Sequence, residues 1–260
     1  MAEDKKGIVL PKVPRKAVAV NPHVMLLYSA IKIGKTTIAA QIENSLLVEL
    51  EPRGADYVEA NVVQANNPME FEAILKQIIA EGCPYETVII DSTTIMDDWS
   101  EIIGTLDYME KVQGKKFNRL SDGTVLKPND KRFETVHSFR EGYAHSRQRM
   151  NDWFNLISRV APRVILLAHL KDKYVESRTG DTVEATDINL TGKVKLNYCI
   201  RADAVGHMYR KGDQAFIKFD NEFNTICGGR CNHLNGDILI SEKMADNTIK
   251  TYWENIYIKE

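Results

Sequence analysis

The 260-residue chain carries 34 basic against 36 acidic side chains, a formal charge of -2, which excludes nucleic-acid binding through bulk positive charge and leaves only a local basic patch open. With 43% hydrophobic and 27% charged residues, its usage is globular rather than disordered or collagen-like, and its length suits one large α/β domain with a sizeable core. No run approaches the about 18 apolar residues of a membrane span, and Met1 to Pro11 lack a signal-peptide core, so a cytoplasmic protein without a membrane partner is expected.

Residues 1–22, with Pro11, Pro14, Pro22 and several lysines but no periodicity, read as an N-terminal arm. Val24 to Tyr28 is a short continuous apolar run, the pattern of a strand buried on both faces of a parallel sheet. A helix is expected from Lys35 to about Asn44, then a second buried strand at Leu46 to Val48. Asn67-Pro68-Met69-Glu70 supplies a cap, a proline at the first helical position and a carboxylate three after the cap. Phe71, Ile74, Leu75, Ile78 and Ile79 continue that helix to Gly82. Thr87 to Asp91 is a third buried strand, followed by a helix through Trp99, Ile102 and Ile103.

Residues 104–140 lose apolar periodicity and read as a long loop insertion, before a helix whose stripe is Met150, Trp153, Phe154, Ile157 and Val160. Val164 to Ala168 is a fourth buried strand and 170–192 a second loop. Ala202 to Tyr209 and Gln214 to Phe219, joined by residues 210–213, form a C-terminal β-hairpin, and Ile238 to Ile240 adds a strand. The expected fold is thus α/β: a mostly parallel central sheet flanked by helices over 23–240, with a C-terminal β-hairpin extension and a tail at 241–260.

Ser29-Ala30-Ile31-Lys32-Ile33-Gly34-Lys35-Thr36, followed by Thr37, lies between the first strand and the first helix. This is the context of a P-loop, in which backbone N–H groups cradle phosphates, the lysine adds a point charge and the threonine hydroxyl ligates Mg²⁺. Ser29 stands where the pattern has its first glycine, and a serine fits that turn only at negative φ. Asp91 ends a strand and is the expected carboxylate for the water shell of the metal, with a helix cap as the plainer alternative. Glu49 and Glu51 fall on one face by period-two alternation at the carboxyl edge of the sheet. Glu51 is favoured as the base that activates water. His169 ends the fourth strand and is either a structural hydrogen-bonder or a sensor of the nucleotide state.

In 104–140, eight cations (Lys111, Lys115, Lys116, Arg119, Lys127, Lys131, Arg132, Arg140) face five anions, with Tyr108, Phe117, Phe133 and Phe139 interleaved. Single-stranded nucleic acid and a solvated insertion suit that composition equally. The four cysteines are scattered, so no disulfide framework is expected; Cys227, Cys231 and His233 read better as a glycine-rich turn than as a zinc site.

Taken in order, the loop 29–36, the acidic strand end Leu47-Val48-Glu49-Leu50-Glu51, Val88-Ile89-Ile90-Asp91-Ser92 and Val164 to Lys171 resemble a RecA-type ATPase core. They are most similar to the compact phage RecA-like ATP-binding proteins associated with single-strand annealing, over about residues 22–240. The resemblance implies ATP with Mg²⁺ as cofactors, hydrolysis to ADP and phosphate, Glu51 and Lys35 as catalytic residues, and Ser29 to Thr37, Asp91 and His169 around the nucleotide. His169 then stands where RecA proteins sense the γ-phosphate. The loops after the Asp91 helix and after His169 match, by position, two loops that bind single-stranded DNA. A ring or filament of identical subunits is implied too, completed by a basic residue in trans, for which Lys171, Lys173, Arg210 and Arg230 are candidates. If phage-encoded, the protein works in the host cytoplasm. A small-molecule or nucleotide kinase, or a non-hydrolysing nucleotide-gated adaptor, are the alternative readings.

Overall fold

The computed structural model describes residues 10, 12–136, 140–176, 182–221 and 225–259. Its elements in chain order are β1 (Val24–Ser29), α1 (Lys35–Ala39), β2 (Ser45–Glu49), β3 (Val62–Gln64), α2 (Pro68–Ala80), β4 (Thr87–Asp91), α3 (Thr93–Met109) and α4 (Arg140–Ile157). There follow β5 (Arg163–Glu176), β6 (Thr182–Ile188), α5 (Gly192–Arg201), β7 (Ala204–Lys211), β8 (Gln214–Lys218), β9 (Gly228–Gly229), β10 (Asp237–Lys243), β11 (Ile249–Thr251) and a 3₁₀ turn at Trp253–Asn255.

The strands lie in the order β11-β10-β8-β7-β1-β5-β4-β2-β3, with β6 on β5 and β9 on β7. From β7 to β3 every neighbouring pair is parallel; β8, β10 and β11 continue antiparallel. The fold is therefore the expected α/β class, with a P-loop core and an antiparallel C-terminal extension.

The continuous apolar runs have the expected cause. Leu26, Val48, Ile90 and Leu166 point to one face, where residues of α2, α3, α4 and α5 cover them. Leu27, Leu47, Ile89 and Leu167 point to the other, under Ile38 and Ala39 of α1 and the C-terminal Trp253, Ile256 and Tyr257. A strand buried on both faces has no polar side to alternate with.

Asn67 caps α2 through its side chain, which accepts from the N–H groups of Met69 and Glu70, while Glu70 Oε2 accepts from the Asn66 N–H at 2.8 Å. Residues 241–260, expected as a tail, hold the end of β10, β11 and the 3₁₀ turn; the Trp253 indole donates to the Ile38 carbonyl at 2.9 Å and pins α1 from below. In the expected arm, residues 12–20 are exposed without regular structure, but Asn21 exchanges two hydrogen bonds with the backbone of Ile258.

Four expectations are corrected. The first helix stops at Ala39, followed by a turn, rather than running to Asn44. Helix α3 continues to Met109, six residues into the expected loop, because Gly104 and Thr105 are buried on its packed side, Gly104 directly against Ser146 of α4. Within the expected loop 170–192, β5 runs on past His169 to Glu176 and pairs antiparallel with β6 from Leu170↔Ile188 to Glu176↔Thr182. Helix α5 and the short edge strand β3 were not expected. Glycine at the first position of α5 and three residues at an edge leave little periodicity to read.

Residues 110–136, the rest of that expected loop that the structure describes up to Val136, have defined local structure. Asn118 and Glu134 exchange side-chain and backbone hydrogen bonds at 2.8 and 2.9 Å, and Leu126 and Val136 are buried. Gly114 packs so tightly on the Tyr108 carbonyl that a Cβ there would lie 1.9 Å from its oxygen. Phe117 rests edge-on against Tyr108 and Arg132 pairs with Asp130, whereas Lys111, Lys115, Lys116, Lys127 and Lys131 are exposed. Phe139 and the Arg140 side chain lie outside the described residues.

Candidate functional site

Parallel strands bring their carboxyl ends to one edge, and the predicted residues meet there. Ser29 ends β1 opposite His169 of β5, and Asp91 ends β4 opposite Glu49 of β2. Strand β5 separates β1 from β4, yet the loop after β1 swings back so that the Thr36 hydroxyl donates to Asp91 Oδ2.

Ser29 is fully buried and still part of the strand, outside the left-handed region, and its hydroxyl donates to the Ala30 carbonyl at 2.9 Å. The missing glycine is thus accommodated by extended backbone. The left-handed turn is taken later, at Lys32 (φ 61°) and Gly34 (φ 94°), where glycine relieves the steric cost. Ala30, Ile31 and Lys32 form an exposed rim, Ile33 and Gly34 are half-buried, and Thr37 sits half-buried in the first turn of α1.

Lys35 is 7% exposed and opens α1. Burial pulls its pKa below the ordinary lysine value, opposed by the negative charge of Asp91 and Glu51. Asp91 is pushed up by burial, against the Thr36 hydrogen bond and the Lys35 charge. A largely buried cation beside a hydroxyl and a carboxylate is a donor set that fits an anionic phosphate chain and an oxygen-ligated Mg²⁺.

Asp91 does not cap α3. That position belongs to Ser92, whose hydroxyl instead donates to Glu51 Oε1 at 2.8 Å. The same oxygen lies 3.2 Å from His169 Nε2. The two candidate carboxylates part company after β2: Glu49 Oε1 accepts the Ala55 N–H at 2.5 Å and holds the turn, while Glu51 reaches the edge. Alternation lapses because β2 ends at Glu49, so the expected shared face is not kept. Ser92 as the hydroxyl that aims Glu51 went unnoticed in sequence, although the run Ser92-Thr93-Thr94 after a buried strand was its signal.

Two more hydroxyls of that run tie α3 to β5: Thr93 Oγ1 donates to the Leu167 carbonyl at 2.7 Å, and Thr94 Oγ1 accepts the His169 N–H at 3.1 Å. One turn on, Asp97 accepts both the N–H and the hydroxyl of Thr191, at 2.5 and 2.7 Å, beside a cavity of about 370 Å³ that Asp98, Glu101 and Lys171 also line. Asp97 is 5% exposed and burial lifts its pKa to about 6. Between pH 4 and pH 6 the unfolded chain ionises this carboxyl while the fold keeps it protonated. Stability therefore falls as pH rises through that window, by about 3 kcal/mol in all, and the penalty persists above pH 6. Asp97→Asn is expected to be more stable than the parent in urea at pH 8 and to flatten the profile between pH 4 and pH 6. Lower stability of the variant at pH 8 would show that the carboxylate is a net support.

Of the four cations considered for a trans role, Arg210 lies against the loop 29–37 of its own chain, its Nε donating to the Ile33 carbonyl at 2.7 Å. Arg230 pairs with Asp203 at 3.0 Å, at the start of β7 and so at the other end of the sheet. Lys171 lines the acidic cavity, and the Lys173 side chain lies outside the described residues. The Cys227 thiol donates to the Asp220 carbonyl and His233 bonds the Ile256 carbonyl, and no group of three metal-ligating side chains occurs among the described residues. Nor is any described helix long and apolar enough to cross a membrane.

Residues 21–231 match the sequence profile of a family described as an AAA domain. No curated protein sequence matches. A crystal structure of the RadB recombinase aligns over 90% of this chain and 92% of that one, with a TM-score of 0.44 and 11% identity.

Proposed function

The chain belongs to this AAA-domain family, and from that premise we propose that it binds ATP with Mg²⁺ and hydrolyses it, coupling nucleotide state to single-stranded DNA in phage-type recombination or replication, as a ring or filament of identical subunits. The observation that carries the reading is Lys35, a largely buried cation between the loop 29–37 and the carboxylates of Asp91 and Glu51. Thr36 and Asp91 would hold Mg²⁺, Asp91 through water, and the ion would neutralise charge on the phosphates.

The protein's part is positioning and proton transfer. The backbone of Ser29 to Gly34 and the Lys35 ammonium orient the phosphate chain. Glu51, aimed by the Ser92 hydroxyl, takes a proton from the attacking water. His169, in contact with Glu51 and continuous with the β5–β6 hairpin, is the residue placed to relay the nucleotide state to that hairpin. The exposed lysines of 111–131 supply the charge for a phosphate backbone.

The test is ATP hydrolysis with and without single-stranded DNA, alongside DNA binding in the ATP, ADP and nucleotide-free states. Hydrolysis stimulated by DNA, with affinity for DNA that depends on nucleotide, is the expected result. Hydrolysis with no DNA binding in any state would remove the recombination reading, and nucleotide binding without turnover would favour the adaptor.

A further inference from the structure

We propose that Arg210 belongs to the nucleotide site of its own chain, where its guanidinium binds the phosphate chain, so that the loop 29–37 takes an arginine in cis rather than from a neighbouring subunit. The inference rests on the ATP-binding reading above.

Strand β7 runs parallel to β1 in the register Met25↔Ala204 to Tyr28↔His207. Beyond Ser29 the two strands part: β1 gives way to the phosphate loop, whereas β7 continues to Lys211 because β8 pairs with it up to Lys211↔Gln214. The overshoot places Arg210 beside the loop. Its Nε donates to the Ile33 carbonyl at 2.7 Å, and its NH2 lies 3.2 Å from where a Cβ on Gly34 would stand. Glycine at 34 thus serves a second end beyond its left-handed φ, admitting the guanidinium to the turn.

The remaining donors are largely uncommitted. The NH1 group reaches the Asp213 carbonyl only at 3.5 Å, NH2 makes no hydrogen bond, and no carboxylate pairs with Arg210 among the described residues. A guanidinium fixed at Nε, held only weakly at NH1 and open at NH2 presents a fork, the geometry that recognises phosphate oxygens. An arginine serving only to brace the loop would need the Ile33 bond alone. One serving a neighbouring subunit would have to break that bond and swing outward.

Equilibrium binding of a fluorescent, non-hydrolysable ATP analogue and of ADP decides the matter, with melting of the nucleotide-free protein as the control for folding. Arg210→Ala is expected to weaken binding of the analogue by about 10- to 100-fold while the nucleotide-free melting temperature stays at that of the parent. Arg210→Lys, which keeps a charge but not the fork, is expected to fall between. Mixing Arg210→Ala with Lys35→Ala separates cis from trans: the second variant carries an intact Arg210 but a disabled loop, so a trans arginine would restore tight sites and a cis arginine restores none. Unchanged affinity in Arg210→Ala, restoration on mixing, or a loss that merely follows a destabilised nucleotide-free fold would each overturn the proposal. Failure of the parent protein to bind either nucleotide would overturn the ATP reading and this inference with it, a result distinct from the other three.

Discussion

Lys35→Ala is expected to lower ATP hydrolysis by about 100-fold or more, with binding of a fluorescent ATP analogue weakened in parallel. The size follows from the place of the ammonium. The residue is only 7% exposed, and desolvation holds its pKa below the ordinary value. A charge kept out of water acts through low dielectric, so a phosphate that reaches it gains more than it would from an exposed lysine. The same burial makes the residue costly in the empty protein. The variant should therefore melt no lower than the parent, although Asp91 loses one of the three influences that hold its pKa down. Hydrolysis above a tenth of the parent rate, measured by phosphate release at saturating ATP, would remove the loop 29–37 as the phosphate site.

Glu51→Gln separates binding from chemistry. Ser92 donates to Glu51 Oε1 at 2.8 Å, and a glutamine oxygen accepts that hydrogen bond equally well, so the side chain stays aimed while its basicity is lost. Turnover is expected to fall by about 100- to 10,000-fold, with affinity for the ATP analogue kept near that of the parent. Glu49→Gln is the matched control. The Glu49 carboxylate is spent on the Ala55 N–H at 2.5 Å, a bond that an amide oxygen can also accept, and near-parent turnover is expected. If Glu51→Gln hydrolyses ATP normally, or if Glu49→Gln loses turnover as severely, the base has been assigned to the wrong carboxylate.

The contrast between these two glutamates marks the limit of reading along the chain. Period-two alternation placed both on one face, and that rule holds only while a strand lasts; β2 ends at Glu49 and the turn after it sends the two side chains to different tasks. A similar limit applied to α3, whose continuation past Gly104 was hidden because Gly104 packs against Ser146 and Thr105 hydrogen-bonds Glu101 and Val136 rather than presenting an apolar stripe. The β5–β6 hairpin was missed for another reason. His169 and the charged residues after it interrupt the apolar run, while backbone pairing with β6 carries the strand on regardless of side chain.

By itself the sequence determined the parallel sheet, through its four continuous apolar runs, and the strand–loop–helix turn of 29–37, through Gly34, Lys35 and Thr36 set between a strand and a helix. Both are local patterns, legible because burial on two faces and a left-handed glycine leave their mark on a few neighbouring residues. The tertiary structure alone decided that Glu51 and not Glu49 meets Ser92 and His169, that the Thr36 hydroxyl reaches Asp91 across β5, and that Arg210 lies on the loop 29–37 of its own chain. Those contacts join residues 41, 118, 55 and 177 positions apart. They depend on strand order and on how far each strand overshoots its neighbour, which no local pattern of side chains records.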